Sequence, residues 1–280
     1  MSRIQVGTLI YDFQAIDVVG PFDLLNSIRQ DFLKGLTLFG PIAKATLARA
    51  PEFDFHHIGL TRDPVPLLSS SLRISPTTTL AECPELDYLL IGGPDQEFKL
   101  APEFAEFIRR HVAAGKLLFT TCTGASVIAS TGVLDGKNAT INNVEYEYFK
   151  KRYPQVKWTR EKKWVVDGNI WTGSGAVASM DMIAHWIKES YGLDVLIEAC
   201  KSLDYEPRDI DGLFTVIPKR YDSQGNQGRN CVGLVDIESM SPIPSQIKPP
   251  SSRTSSRTSR AFGPRSAPQP THASRADRMY

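Results

Sequence analysis

The chain has 280 residues, 41% hydrophobic and 22% charged, with a formal net charge of +1, an ordinary balance for a soluble globular protein. The charge is uneven: six Arg and one Asp give residues 251–280 a net +5, which leaves residues 1–250 mildly acidic at −4. No run approaches the roughly 18 apolar residues of a membrane span, and Met1-Ser2-Arg3 leads straight into a strand-like run, so neither a membrane anchor nor a secretory signal is expected and the protein is placed in the cytoplasm.

In chain order, residues 4–10 read as a buried strand and 20–28 as a helix. Residues 86–91 form the next strand, and 102–114 a helix opened by Pro102. Residues 116–121 form a short apolar strand that runs into a small-residue helix over 123–131. A helix over 144–152 follows, then two strand segments, 164–166 and 169–172, flanking the hairpin signal Asp167-Gly168. Helices over 176–191 and 193–203, separated at Gly192, complete the pattern. Alternating strands and helices predict a parallel sheet with helices on both faces, and such sheets carry function at the carboxyl ends of their strands.

From Pro207 onward the periodicity fades. Residues 208–241 read as an irregular extension, and 242–280 as a disordered basic tail rich in Ser, Pro and Arg, with the near repeat 252–255 and 256–259. No apolar helical period capable of building a DNA-binding module is seen over 208–280, so nucleic acid is not an expected partner.

Cys122 is the leading candidate for chemistry. It ends an apolar strand and begins a helix, with Thr123 and Gly124 making the turn, in the strand, nucleophile, helix order of a nucleophile elbow. A thiol at a helix N-terminus is expected to have a lowered pKa. The alternative is a buried structural cysteine. Asp17 is a lone carboxylate among Ile16, Val18 and Val19. Burial there would raise its pKa and suit it to proton transfer, although Asp is also a preferred helix cap. Gly92-Gly93, at the end of a strand, offers backbone N–H groups to a developing negative charge, and Ser174, within Thr172-Gly173-Ser174-Gly175, repeats the arrangement. Gly124 lets the backbone turn under the sheet. Gly92, Gly93, Gly124 and Ser174 are therefore the expected substrate and oxyanion contacts. Thr172-Gly173-Ser174-Gly175 lacks the third glycine and the spacing of a dinucleotide fingerprint, so no nucleotide site is read.

The four cysteines, Cys83, Cys122, Cys200 and Cys231, are widely spaced without a C-x-x-C pair, and the five His are scattered. Neither a disulfide framework nor a metal site is indicated. His185 and the aromatic residues Tyr146, Tyr148, Phe149, Trp171 and Trp186 are expected in the core or at a dimer surface.

Together, Ile16-Asp17-Val18-Val19-Gly20-Pro21, Gly92-Gly93, Thr121-Cys122-Thr123-Gly124-Ala125, the run 134–140, the run 166–172 and Met180-Asp181 resemble the ThiJ/PfpI superfamily, in consistent order over about residues 3–207. Within it the chain is similar to the isonitrile hydratase branch, in a fungal style. The resemblance implies a flavodoxin-like α/β three-layer sandwich with a mainly parallel sheet, a homodimer, and a small-molecule substrate without metal or organic cofactor. It implies Cys122 as nucleophile, Asp17 as its acidic partner and Thr123 beside it. The implied activity is addition of water to an isonitrile in fungal specialised metabolism. Cofactor-free glyoxalase or deglycase chemistry and a non-catalytic cysteine redox sensor are the alternatives. Many relatives carry a His after the run that here reads Ala139-Thr140-Ile141-Asn142-Asn143, so a Cys-His pair is not expected. Pro94 follows Gly92-Gly93 and has no N–H, which shifts any oxyanion contact to Gly93 or to amides near Thr123.

Overall fold

In the computed structural model, which describes residues 3–209, 212 and 213, the first half of the chain builds β1 (Ile4–Leu9), α1 (Ile16–Ser27), α2 (Gln30–Leu36), α3 (Lys44–Arg49) and β2 (Phe53–Gly59). Three two-residue strands follow, β3 (Val65–Pro66), β4 (Arg73–Ile74) and β5 (Thr78–Thr79), then β6 (Tyr88–Ile91) and α4 (Pro102–Ala113). The second half comprises β7 (Leu117–Thr120), α5 (Gly124–Ala129), β8 (Asn138–Ala139), α6 (Tyr146–Arg152) and β9 (Lys157–Trp158). It continues with β10 (Trp164–Asp167), β11 (Ile170–Gly173), α7 (Ala176–Tyr191), α8 (Leu193–Leu203), β12 (Arg208–Asp209) and β13 (Gly212–Leu213). The described residues lie in the first of two units into which the chain divides, Met1–Arg229. Most of the expected extension and all of the expected basic tail fall outside the described residues. Residue Arg208 is tied back to the body, its guanidinium meeting the buried Asp181 carboxylate at 3.1 Å.

The main sheet has seven strands in the order β10-β11-β7-β6-β1-β2-β5. All neighbours pair in parallel except β10 and β11, which form the antiparallel hairpin read from Asp167-Gly168, with Gly168 at φ +64°. Helices cover both faces, giving the three-layer α/β architecture. On one face α1, α7 and α8 pack together, and Gly20 of α1 is needed there because a Cβ would come within 2.9 Å of the Met180 sulfur. Trp186 of α7 reaches the sheet, meeting Tyr88 at 5.0 Å and Phe119 at 5.3 Å between ring centroids. His185 packs beside Trp164 and Trp171.

The order of strands places the site. From β1 the chain crosses to β2 on one side, whereas β6 and β7 add on the other side, so the direction of winding reverses between β1 and β6. At such a switch point the loops leaving adjacent strands part and leave a crevice at the carboxyl edge. The segments that leave β1, β6 and β7 carry Asp17, Gly93 and Cys122 respectively.

Candidate functional site

Cys122 sits between β7 and α5 with φ +53°, the left-handed conformation that an L side chain adopts only under constraint. The constraint is visible on both sides. Thr121 N–H donates to Ile91 O at 3.0 Å, and Gly124 N–H closes the turn onto Thr121 O at 2.8 Å. Gly124 is obligatory, since a Cβ there would lie 2.3 Å from Ile91 O. The elbow is thereby pressed against the end of β6, and Cys122 is left only 6% exposed.

Asp17 lies in the first turn of α1 and is fully buried. It does not cap the helix: the cap position is Ala15, and the carboxylate Oδ2 instead accepts the Gly93 N–H at 2.8 Å. Oδ1 has no partner. Burial raises Asp17 from 3.8 to about 7, the Gly93 hydrogen bond opposes this, and the nearby Glu145 charge adds to it. Thr123 donates its hydroxyl to Pro94 O at 2.7 Å. A Cβ on Gly93 would meet Thr123 Oγ1 at 2.4 Å and Asp17 Oδ2 at 2.7 Å, so these two side chains converge over one glycine. Tyr11 closes the floor, donating its hydroxyl to Gly92 O at 2.6 Å.

The thiol departs from the sequence expectation. Cys122 is pushed up to about 11, first by burial and next by the negative charge of Asp17. Hydrogen bonds from the Asn142 side chain and the Thr123 backbone pull it down, but by less. The helix behind the elbow has only six residues, so its field is too weak to overcome removal of the sulfur from water. The resting group is a thiol beside a carboxyl that titrates near neutrality.

A sequence profile of the DJ-1/PfpI family matches residues 6–189, most of the described chain. The chain belongs to the DJ-1/PfpI family. An isonitrile hydratase of Pseudomonas putida is 29% identical over 209 residues, covering 73% of this chain and 79% of that protein. The HTH-type transcriptional regulator CdhR of Pseudomonas aeruginosa is 26% identical over 180 residues, and the match spans 53% of the regulator's length. The crystal structure of a ThiJ/PfpI family protein from Pseudomonas syringae superposes with a TM-score of 0.58 at 21% identity, covering 75% of this chain and 78% of that one, which is agreement of fold.

Within this DJ-1/PfpI domain the expected oxyanion contacts need revision. The Gly93 N–H is engaged by Asp17 and the Gly124 N–H by Thr121 O, so neither is turned toward a ligand. Ser174 stands at the same carboxyl edge, but its N–H donates to Lys163 O at 2.8 Å. Gly92 serves as a close-packing position, where a Cβ would meet Val18 at 2.8 Å and Phe13 at 3.1 Å. The glycines shape the site because side chains would not fit, and they do not supply its polarity.

Two site residues escaped the sequence reading. Asn142, half-buried, places its amide nitrogen 3.0 Å from Cys122 Sγ. Glu145, raised by burial, accepts a hydrogen bond from the Gln96 side chain and acts electrostatically on both Asp17 and Cys122. Gln96 also borders a groove of about 270 Å³ shared with Phe98, Lys99, Ser126 and Arg152. The available signal was position: both residues follow Thr140, whose N–H is held by Thr172 near the carboxyl end of β11. Among the described residues no cluster of three His, Cys, Asp or Glu side chains could hold a metal ion, and no helix is long and apolar enough to cross a membrane.

Proposed function

We propose that this chain is a cysteine-dependent hydratase that adds water to an isonitrile to give an N-substituted formamide. The observation that supports it is the pairing of an elbow thiol with one buried carboxyl near neutrality, and with an amide rather than an imidazole on the sulfur. One group must both accept and return protons. Asp17, at about 7, is populated in both forms where the reaction would run.

In the first step ionised Asp17 takes the Cys122 thiol proton while the sulfur attacks the terminal isonitrile carbon. The new C–S bond forms, and the carbon's own electron pair takes the proton from Asp17, giving a thioimidate, R–N=CH–S–Cys122. In the second step Asp17 removes a proton from water as the water oxygen attacks the same carbon, and the proton passes to nitrogen. The C–S bond then breaks, the carbonyl forms, and the sulfur leaves as the Cys122 thiol once it recovers the hydroxyl proton through Asp17. The sum is one water and one isonitrile converted to R–NH–CHO, with nothing oxidised or reduced. Thr123, tied to Pro94, holds the turn beside the sulfur. The same reading takes the protein as a homodimer in specialised metabolism.

The test is purified protein incubated with a small alkyl isonitrile and, separately, with methylglyoxal, with formamide and lactate followed side by side. Wild type is expected to produce formamide and Cys122→Ala to produce none while remaining folded. Undiminished formamide from Cys122→Ala overturns the covalent route. Lactate without formamide moves the assignment to glyoxalase chemistry. A raised thiol pKa weighs against the redox-sensor alternative, because oxidation proceeds through the thiolate.

A further inference from the structure

Asn142 is attached to the fold with more care than a surface loop residue needs. It follows Thr140, whose N–H donates to Thr172 Oγ1 at 2.9 Å, and the fully buried Ile141. On its far side Glu145 N–H returns to the Asn142 carbonyl at 3.2 Å, and the Glu145 carboxylate is held by Gln96. The side chain itself is oriented: Oδ1 accepts the Val144 N–H at 2.9 Å, which leaves the amide nitrogen directed at Cys122 Sγ at 3.0 Å. An amide oxygen faced with a backbone N–H settles which end is which, so the group on the sulfur is a donor.

We infer that Asn142 is a catalytic residue, the donor that stabilises the Cys122 sulfur as it becomes a thiolate. This rests on the proposed role of Cys122 as nucleophile and not on the identity of the substrate. A neutral thiol is a weak hydrogen-bond acceptor, and a thiolate is a strong one. The Asn142 contact is therefore weak in the resting enzyme and strengthens as charge develops, which is the condition for lowering a barrier rather than merely binding. It needs no reorganisation, because Val144 has already fixed the amide. It also cannot carry a proton, so it separates two duties that a histidine would combine: Asn142 stabilises charge, and Asp17 moves protons. The amide nitrogen carries two hydrogens, and one can stay on sulfur while the other faces a bound ligand.

The test reads the sulfur directly. Iodoacetamide alkylation of Cys122 is followed from pH 6 to 10 by mass spectrometry of its peptide, which separates it from the other three cysteines of the chain. Wild type is compared with Asn142→Ala, which removes the donor without adding a charge beside the sulfur, and with Asn142→Leu, which removes the donor and keeps the bulk. Both variants are expected to alkylate about tenfold more slowly near pH 8, with profiles displaced upward by about one pH unit. Circular dichroism checks the fold, and the smaller Ala variant decides the matter should the Leu variant melt early. Rates within twofold of wild type, or equal failure of all three proteins to label, overturn the inference. Because no isonitrile is used, that result leaves the hydratase reading standing, and absence of formamide in the separate assay leaves this inference standing.

Discussion

Asp17→Asn should make the protein more stable and less active at once, and the size of the effect should depend on pH. The carboxyl ionises near 3.8 in an unfolded chain and near 7 in the fold, because burial disfavours its charge more than the Gly93 N–H favours it. Between those values the folded state holds a proton that the unfolded state has released. Folding stability is therefore greatest below about pH 4, falls as pH rises, and levels off above about pH 7. A displacement of about three units corresponds to about 4 kcal/mol across that window. Asparagine removes the ionisation while its oxygen can still accept the Gly93 N–H, and its amide hydrogens take the place of Oδ1, which is already unpartnered in the wild type. The two proteins should melt within a few degrees of one another at pH 4. At pH 8 the variant should melt roughly 10 °C higher, on the usual scale of 2–4 °C per kcal/mol for a folded unit of this size. Formamide production should drop by about 100-fold or more, since the proton carrier is gone. Scanning calorimetry at the two pH values reads the first effect. A melting difference that is the same at pH 4 and pH 8 would refute the reasoning, since the carboxyl would then not be held neutral by the fold.

Two further substitutions probe the elbow. Gly93→Ala introduces a Cβ within 2.8 Å of the Thr123 backbone nitrogen as well as the two converging side chains, so it should cost about 1–3 kcal/mol and displace Asp17 from its partner; chemical denaturation and the isonitrile assay should both register it, and a variant as stable and active as wild type would show that the turn has room to spare. Cys122 is held at φ +53°, so Cys122→Gly should melt at or above Cys122→Ala, by up to about 1 kcal/mol, reversing the order expected in ordinary backbone. A lower melting temperature for the Gly variant would mean that the left-handed elbow is not strained.

The parts of the fold legible in the sequence are those where one period dominates. Residues 176–191 and 193–203 keep a helical pattern against an apolar sheet, and helices α7 and α8 occupy those spans. Asp167-Gly168 names its own turn. Residues 53–59, by contrast, read Phe-Asp-Phe-His-His-Ile-Gly, and the polar residues hide a strand that pairs in parallel with β1 along its whole length. Its neighbour on the other side, β5, pairs with it only at Ile58 and Gly59, so much of the strand lies at the open edge of the sheet and tolerates polarity. Helix α1 begins at Ile16, four residues before the 20–28 span expected from the sequence. Pro21 lies inside the helix, and the earlier start carries Asp17 into the first turn.

The candidate site divides along the same line between local and tertiary information. Cys122 and Asp17 could be named because each violates its local surroundings, a thiol at a tight turn and a carboxylate among aliphatic side chains. Their protonation could not, because pKa depends on what three separate loops remove from water. The helix terminus gives the thiol a field that favours its ionisation. Burial and a second acid at the same switch point outweigh it, and the thiol rises to about 11 while the acid rises to about 7. That inversion has a chemical consequence. A preformed thiolate beside a buried carboxylate would place two like charges out of water together, at a cost that no hydrogen bond from Asn142 alone would offset. In the proposed hydratase route, keeping the thiol neutral until the proton can pass to Asp17 avoids that state, and it ties formation of the nucleophile to the arrival of a substrate that can take the charge.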